Sequence, residues 1–267
     1  NEISINHGCI LDVSCHKILG CNSTIDLSQK ELHHLSYFSK IFIRKDPPFD
    51  DNYLNLTHQL EYAKNLNVKI INNPSSIRNH NEKLSILKFQ DIIPPTIVSS
   101  QAFKIKDFLK QEEKIILKPL DGMAGNGIFM LNKNDKNINV ILETITNNEQ
   151  KQIMAQRYLP EIKDGDKRII VIKGDAIPYA LSRVPSSSDF RANLAKGGKG
   201  IVKKLSENDK KIVKRVKEYL INAELTIVGL DIIGNFLTEI NVTSPTGIVE
   251  ISEQTDFDVA KHIIDVL

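Results

Sequence analysis

The sequence predicts a mixed architecture, α/β and α+β, with an open α/β unit at the front, and three stretches carry the prediction. Lys40 to Arg44 and Val68 to Ile71 are short β-branched runs that suit buried strands. Between them, Tyr53 to Leu66 spaces Leu54, Leu60, Tyr62, Ala63 and Leu66 as a helix does, and strand, helix, strand is the signature of a parallel sheet. Beyond Gln152 the runs Ile153 to Tyr158, Arg168 to Ile172 and Ala176 to Arg183 suggest an antiparallel sheet, and Ile227 to Val242 reads as a hairpin.

Taken in order, the first 80 residues alternate short apolar runs with polar, helix-like stretches and look like the latter part of an open α/β domain. The chain opens on Asn1 rather than Met, so the true N-terminus is expected to lie upstream. Asn72-Asn73-Pro74 and Pro94-Pro95 punctuate the next stretch, and we divide the chain into 1–80, 81–157 and 158–267. The second unit should hold a helix near Asn81 to Phe89, a strand at Thr96 to Val98 and a helix near Ala102 to Lys110. A strand over Ile115 to Lys118 ends at Pro119 and the loop Asp121 to Gly127, and another strand begins at Ile128. A Gly-rich stretch closes at Lys196 to Gly200. Ser206 with Asp209 resembles a capping box, opening a helix with Ile212, Val213, Val216, Leu220 and Ile221 on one face. A final helix carries Val259, Ile263, Ile264 and Leu267.

Bulk composition narrows the function classes. The 267 residues are 41% hydrophobic and 25% charged, enough apolar material for more than one core. A formal charge of +2 without a long block of one sign gives no general attraction to nucleic acid or membrane. No run approaches the roughly 18 apolar residues of a membrane span, and no signal peptide is visible. Cys9, Cys15 and Cys21, with His7 and His16 nearby, lack the C-x2-4-C pairing of zinc sites and read as reduced thiols of a cytoplasmic protein.

The most informative segment runs from Gly229 to Asn241. Asp231, Glu239 and Asn241 sit within apolar, sheet-like runs where charged residues are scarce. An unpaired carboxylate on a half-buried strand costs several kcal/mol in order of magnitude, and a bound divalent cation would remove that penalty. Asp, Glu and Asn oxygens are the hard ligands that Mg²⁺ prefers beside nucleotide phosphates. The three positions share parity, but a two-residue Gly234-Asn235 turn would pair residue 231 with 238 and set Asp231 on the face opposite Glu239. We therefore expect an odd loop, Ile233-Gly234-Asn235, with Asn235 left-handed; an even loop without a bulge would remove the shared site.

Lys118 at the end of a buried strand, with Gly122, Gly125 and Gly127 after it, can hold phosphate oxygens through its ammonium and loop N–H groups. The pattern is not a P-loop, and by themselves these glycines also suit a plain turn. Arg44, Arg168, Arg183 and Arg191 each border a strand or loop, and guanidinium groups suit bidentate carboxylate recognition. A lone arginine at a strand end is more often a solvated surface charge.

Five strings bring a resemblance. Arg44-Lys45-Asp46-Pro47-Pro48-Phe49-Asp50, Ile116 to Met123, Lys163-Asp164-Gly165-Asp166-Lys167-Arg168, Asn193-Leu194-Ala195 with its glycines, and Gly229 through Thr246 resemble, in order, the bacterial glutathione synthetase family. The resemblance implies an ATP-grasp fold, with 1–80 as a truncated α/β substrate domain, 81–157 as the central ATP-grasp unit and 158–267 as the catalytic one. It implies that Lys83 and Lys118 contact ATP phosphates, that Gln156, Arg157, Tyr158 and Leu159 offer backbone hydrogen bonds to adenine, and that Asp166 sits near the ribose. It implies two Mg²⁺ ions, with Mn²⁺ as a substitute, held by Asp231, Glu239 and Asn241, Glu239 bridging. Arg44, Arg168, Arg183 and Arg191 match residues for the carboxylates of γ-glutamylcysteine and the reacting acyl phosphate, and Pro185 to Gly200 matches a mobile lid. One departure is Ala124-Gly125, where the family commonly has paired glycines after the Met.

The activity so implied is ATP-dependent joining of γ-glutamylcysteine to glycine through an acyl phosphate, in a cytoplasmic enzyme, tetrameric by resemblance, with no nucleic-acid or membrane partner. Two other readings share part of the pattern. Another ATP-grasp carboxylate–amine ligase would share the lysines and metal residues but not the Arg44 to Asp50 string. A non-catalytic, synapsin-like nucleotide-binding protein would need fewer metal ligands than the three present.

Overall fold

The computed structural model describes residues 2–6, 10–21, 25–123, 125–186, 191–192 and 197–267. The front of the chain is more strand-rich than its polar sequence suggests. β1 (Glu2–Asn6), β2 (Ile10–Cys21) and β3 (Ile25–His34) form a three-stranded antiparallel sheet in place of helix-like stretches. The expected strand–helix–strand unit follows. β4 (Lys40–Phe42) pairs in parallel with β5 (Lys69–Ile71), and α1 (Asp51–Glu61) crosses between them, capped by the Asp50 carboxylate on the Tyr53 N–H.

One side chain fastens this unit to the rest. Buried Asn72 donates through Nδ2 to the carbonyls of Ile227 and Val242, both at 2.8 Å, and its Oδ1 accepts from the N–H groups of Thr226 and Ile227, both at 2.7 Å. Every polar atom of the amide is thus satisfied where an unsatisfied one would be costly. After α2 (Pro74–Asn79), the stretch expected to be a helix near 81–89 is a single 3₁₀ turn at Leu84–Lys88.

Two sheets then face each other. The first, in the order β6-β9-β7-β8, comprises β6 (Thr96–Ser99), β7 (Lys114–Pro119), β8 (Phe129–Asn132) and β9 (Ile153–Arg157). β9 therefore belongs here and not with the strands after it. One face buries Ile115, Leu117, Ile153 and Ala155 against α3 (Ala102–Glu112) and α4 (Ile138–Ile145). The alternate residues Ile116, Lys118 and Gln156 line the opposite face, as the two-residue strand period requires.

The second sheet is ordered β12-β11-β10-β13-β14, from β10 (Asp166–Ile172), β11 (Asp175–Val184), β12 (Lys199–Lys204), β13 (Ile227–Ile233) and β14 (Phe236–Asn241). Its inner face buries Ile169, Val171, Val228, Leu230, Ile232, Leu237 and Ile240 against α5 (Glu207–Asn222). The capping box at Ser206 and Asp209 forms as expected, and Ile212, Val213, Val216 and Leu220 are buried, whereas Ile221 is exposed. The other face is divided along its length. At one end Ile170, Ile172, Ile177, Leu181 and Ile227 pack against α6 (Ile248–Glu253) and α7 (Val259–Val266). On α7, Val259 and Ile263 are buried and Ile264 is exposed. At the other end the same parity places Asp166, Arg168, Arg183, Gly229 and Asp231.

The β13–β14 hairpin overturns the expected odd loop while keeping its consequence. Ile233 pairs with Phe236 and Ile232 with Leu237, so the loop is Gly234-Asn235, and the left-handed residue is Gly234 at φ +58° rather than Asn235. The register then shifts and Asp231 pairs with Glu239, leaving Thr238 as the extra residue of a β-bulge. The bulge supplies the odd residue that the loop does not, and Asp231, Glu239, Gly229 and Asn241 share one face. Thr238 is buried and its hydroxyl donates to the Asp231 carbonyl at 3.1 Å, which fixes the bulge in place.

Candidate active site

Between the two sheets lies a cleft of about 350 Å³, within the roughly 300–1,000 Å³ of small-molecule sites. Of the residues expected from sequence, Lys83, Lys118, Gly122, Gly125, Gln156, Tyr158, Leu159, Asp166, Arg168, Arg183, Arg191, Asp231, Glu239 and Asn241 line it. Arg44 and Gly127 do not. Arg44 stands outside the lining and donates from Nη2 to the Pro245 carbonyl at 2.9 Å, while Asp46 and Pro47 of the same string reach the cleft. Gly127 shapes the loop from behind, at φ +66°, where a Cβ would lie 2.9 Å from Pro119 Cγ.

Strand register sets the charges. In one row Arg168 lies opposite Asp231, and Asp231 opposite Glu239; in the next Asp166 lies opposite Arg183. Arg168 donates from Nε and Nη2 to the two oxygens of Asp231, the second bond at 3.0 Å, and Arg183 Nη2 lies 2.9 Å from Asp231 Oδ2 and 2.6 Å from Asp166 Oδ2. Asp231 is thus not an unpaired carboxylate awaiting a cation. Its burial is already compensated by two guanidinium groups, so burial alone does not argue for metal at this position. Burial would raise the Asp231 carboxyl, but Arg168 and Arg183 outweigh it and hold the group far below the usual carboxylate range. Burial pushes Asp166 up to about 6, with Arg183 pulling against it and Asp231 adding to it. Asp166 Oδ1 is buried and accepts no hydrogen bond from a described residue.

The opposing sheet supplies Lys118, and the segment that Glu82 joins to β14 supplies Lys83. Lys83 Nζ donates to the Gly122 carbonyl at 2.7 Å and to Glu239 Oε1 at 3.1 Å. Burial works to lower this ammonium, but Glu239 foremost, then Glu82 and Asp231, leave it raised. Lys118 Nζ donates to Gln156 Oε1 at 2.6 Å, and the Gln156 amide in turn donates to Thr96 Oγ1 at 3.1 Å. Burial dominates at Lys118 and lowers its pKa. Backbone hydrogen bonding decides what the strand end can offer a ligand. The Tyr158 N–H is taken by the Lys114 carbonyl at 3.0 Å, whereas neither the Leu159 N–H nor the Tyr158 carbonyl is used by a described backbone group. Arg191 reaches the glycine loop, donating from Nη1 to the Gly125 carbonyl at 3.1 Å. Much of the expected lid, including Asn193-Leu194-Ala195, lies outside the described residues, as do His7, Cys9 and Ala124.

The donor set fits a divalent metal only in part by itself. Among the described residues no group of three or more His, Cys, Asp and Glu gathers as a metal site. Glu239 Oε2 and Asn241 Oδ1 accept no hydrogen bond from a described residue, since Glu239 receives Lys83 on Oε1 and Asn241 uses its Nδ2 on the Gly229 carbonyl. Two open hard oxygens beside Asp231 suit an ion that draws its remaining ligands from phosphate.

The chain as a whole is similar to known proteins. Residues 5–78 match the family described as prokaryotic glutathione synthetase, N-terminal domain, and residues 82–256 match prokaryotic glutathione synthetase, ATP-grasp domain. The chain belongs to the prokaryotic glutathione synthetase family. A glutathione synthetase of Nitrosomonas europaea is 51% identical over 87% of this chain and 73% of its own length. One of Neisseria meningitidis serogroup A is 43% identical over 99% and 85%. A solved ATP-grasp ligase of Chryseobacterium gregarium, associated with peptide modification and bound to ADP with a leader and core peptide, superposes with a TM-score of 0.66. It is 17% identical over 100% of this chain and 83% of its own, a likeness of fold alone. As a prokaryotic glutathione synthetase family member the chain has the ATP-grasp fold and is an ATP-dependent ligase forming glutathione. No helix among the described residues is long and apolar enough to cross a membrane.

Four elements of the cleft escape a sequence reading. Asp46 was hidden within a string taken for its arginine. Glu82 sits beside Lys83 without any spacing of its own. Thr243, Ser244 and Thr246 look like ordinary loop residues. Gly229 carried a usable signal, since a glycine inside a strand often marks close approach of another group. A Cβ there would lie 2.8 Å from Arg168 Cδ and 2.8 Å from Pro245 Cβ, so glycine is what lets the Arg168 side chain lie across the strand.

Proposed function

We propose that the cleft binds ATP between the two sheets and γ-glutamylcysteine toward Arg44, and that it joins the dipeptide to glycine. The observation that carries this reading is that Lys118 of the first sheet and Lys83, beside β14, line one cleft with Asp231, Glu239 and Asn241 of the second sheet. The Leu159 N–H, used by no described backbone group, can donate to an adenine ring nitrogen, and Asp166 Oδ1, which accepts no hydrogen bond from a described residue, suits a ribose hydroxyl. Lys83, Lys118 and the backbone of the loop with Gly122, Gly125 and Gly127 hold phosphate oxygens.

Ligases of this fold use ATP and a divalent metal. Asp231, Glu239 and Asn241 would hold two Mg²⁺ ions, or Mn²⁺ in their place, with Glu239 shared. Such ions neutralise charge on the transferring phosphoryl group. The cysteinyl carboxylate attacks the γ-phosphorus, its bond to the β,γ-bridging oxygen breaks, and ADP leaves. Lys83 and Lys118 offset the charge that develops on the phosphates. The glycine amine then attacks the acyl carbon, sheds a proton, and phosphate departs to leave the amide. Arg168, Arg183 and Arg191 orient the carboxylate and the acyl phosphate. Arg168 and Arg183 are shared with Asp231 before substrate arrives, so their hydrogen bonds redistribute on binding. An acyl phosphate hydrolyses if water enters, and closure of residues 185–200 over the cleft excludes it. A cytoplasmic homotetramer, without nucleic-acid or membrane partners, completes the reading and rests on family resemblance.

Phosphate release from ATP, measured with γ-glutamylcysteine in the presence and absence of glycine, tests this. Turnover should require all three substrates, and Glu239→Gln should lower kcat by at least about 100-fold, in line with loss of a preorganised charge site. Turnover without the dipeptide, or full activity in the variant, would overturn it.

A further inference from the structure

One buried carboxylate in the cleft takes no part in the mechanism above. Glu82 Oε1 accepts hydrogen bonds from the Val242 N–H at 2.8 Å, the Thr243 N–H at 3.0 Å and the Thr243 hydroxyl at 2.9 Å. The Glu82 carbonyl also accepts from the Ile240 N–H at 3.0 Å. Residue 82 therefore grips the chain as it leaves β14, at three positions within four residues. The grip lies immediately before the loop that carries Ser244 and Thr246 into the cleft.

That loop receives two of the four arginines assigned above to the dipeptide. Arg44 donates to the Pro245 carbonyl at 2.9 Å, Ser244 Oγ donates back to the Arg44 carbonyl at 3.4 Å, and Arg168 Nη1 reaches the Thr246 carbonyl at 3.5 Å. A carboxylate here is an expensive anchor. Its acidic neighbour is Glu239 on the strand it grips, and burial first, then that like charge, raise the Glu82 pKa despite three donors. A purely structural loop anchor would be served by a neutral acceptor. What an ionised oxygen adds is stronger, charge-assisted hydrogen bonds to all three donors, and hence a loop held in one position.

We propose that Glu82 is a positioning residue that sets the dipeptide pocket by fixing the 243–246 loop, and with it Arg44 and Arg168, without touching substrate. This inference rests on the dipeptide site proposed above. It separates the two substrates, because the Lys83 ammonium donates to Gly122 and Glu239 and makes no hydrogen bond to Glu82, whose charge acts on it only through space.

Steady-state kinetics of Glu82→Ala, Glu82→Gln and Thr243→Val tests it, with wild-type turnover of γ-glutamylcysteine measured first. If the wild type fails to turn over the dipeptide, the substrate reading fails and not the role of Glu82. Given turnover, Glu82→Ala should raise the KM for γ-glutamylcysteine at least tenfold while the KM for ATP stays within threefold. Glu82→Gln, which keeps an acceptor oxygen but not the charge, should recover only part of that loss. Thr243→Val, which removes one donor and no backbone contact, should raise the dipeptide KM about threefold and serves if Glu82→Ala does not fold. Equal rises in both KM values, an unchanged dipeptide KM in Thr243→Val, or Glu82→Gln as impaired as Glu82→Ala would overturn the proposal.

Discussion

Replacing Gly229 by alanine isolates the packing of Arg168 on its strand. The backbone at this position is ordinary strand, so alanine meets no conformational barrier, and the whole effect is steric. The new Cβ would lie 2.8 Å from Arg168 Cδ, 2.8 Å from Pro245 Cβ and 3.2 Å from Arg168 Nε. Neither neighbour yields easily. Pro245 is a ring whose carbonyl is held by Arg44, and Arg168 is tied through two nitrogens to the buried Asp231. Forcing one extra methyl into such a site costs about 1–3 kcal/mol. For a chain of this size that corresponds to a fall in Tm of roughly 3–10 °C. Because Arg168 moves, the KM for γ-glutamylcysteine should rise more than the KM for ATP. Thermal unfolding followed by circular dichroism, with kinetics on the same preparation, reads both. Gly20→Ala is the control, since a Cβ there meets only Asp26 Cβ at 3.9 Å. If Gly229→Ala keeps the wild-type Tm within 1 °C and the wild-type kinetics, the space is not filled as described and the argument fails.

Two further variants probe the paired charges. Asp231→Asn leaves Arg168 and Arg183 buried without their shared counter-charge and should destabilise by about 3–5 kcal/mol in urea unfolding. Glu239→Gln, at a partly exposed carboxylate with Lys83 as its one ion-pair partner among the described residues, should lose under about 1.5 kcal/mol although its kcat should fall at least about 100-fold; equal losses would contradict the burial difference. A pH prediction follows from Lys118. Its folded pKa is depressed by burial, so the ammonium is present below that value and lost as pH rises through it, short of the unfolded lysine value. ATP affinity should fall across that alkaline window while the global stability contribution of Lys118 rises. Gln156→Leu, by removing the carbonyl that accepts from the ammonium, should shift the fall in ATP affinity to lower pH; an unmoved profile would detach Lys118 from nucleotide binding.

Periodicity carried far along this chain. The β4–α1–β5 crossover, α3, β7, the capping box of α5 and the closing hairpin were all legible, because each is specified by local spacing or capping chemistry. The three-stranded sheet at the front, α4, β12 and α6 were not read, and 81–89 proved to be one 3₁₀ turn, because tertiary packing of Ile86 and Phe89 fixes that stretch rather than its helical spacing. Ile221 and Ile264 show the limit of a helical stripe, since each lies at the edge of its apolar face and faces solvent.

In the site, residue identity and physical arrangement came from different sources. Sequence alone singled out the side chains proposed to carry chemistry: two lysines, three arginines in the cleft, and the Asp231, Glu239 and Asn241 oxygens. Their common face depended on parity, which loop length could not supply and which the Thr238 bulge did. Whether Asp231 stood alone was also beyond the sequence. Its partners Arg168 and Arg183 lie 63 and 48 positions away along the chain, by subtraction of their numbers, and only strand pairing brings them together. Local sequence sets spacing within one element; the pairing of distant strands sets which charges meet, and burial then sets how strongly they interact.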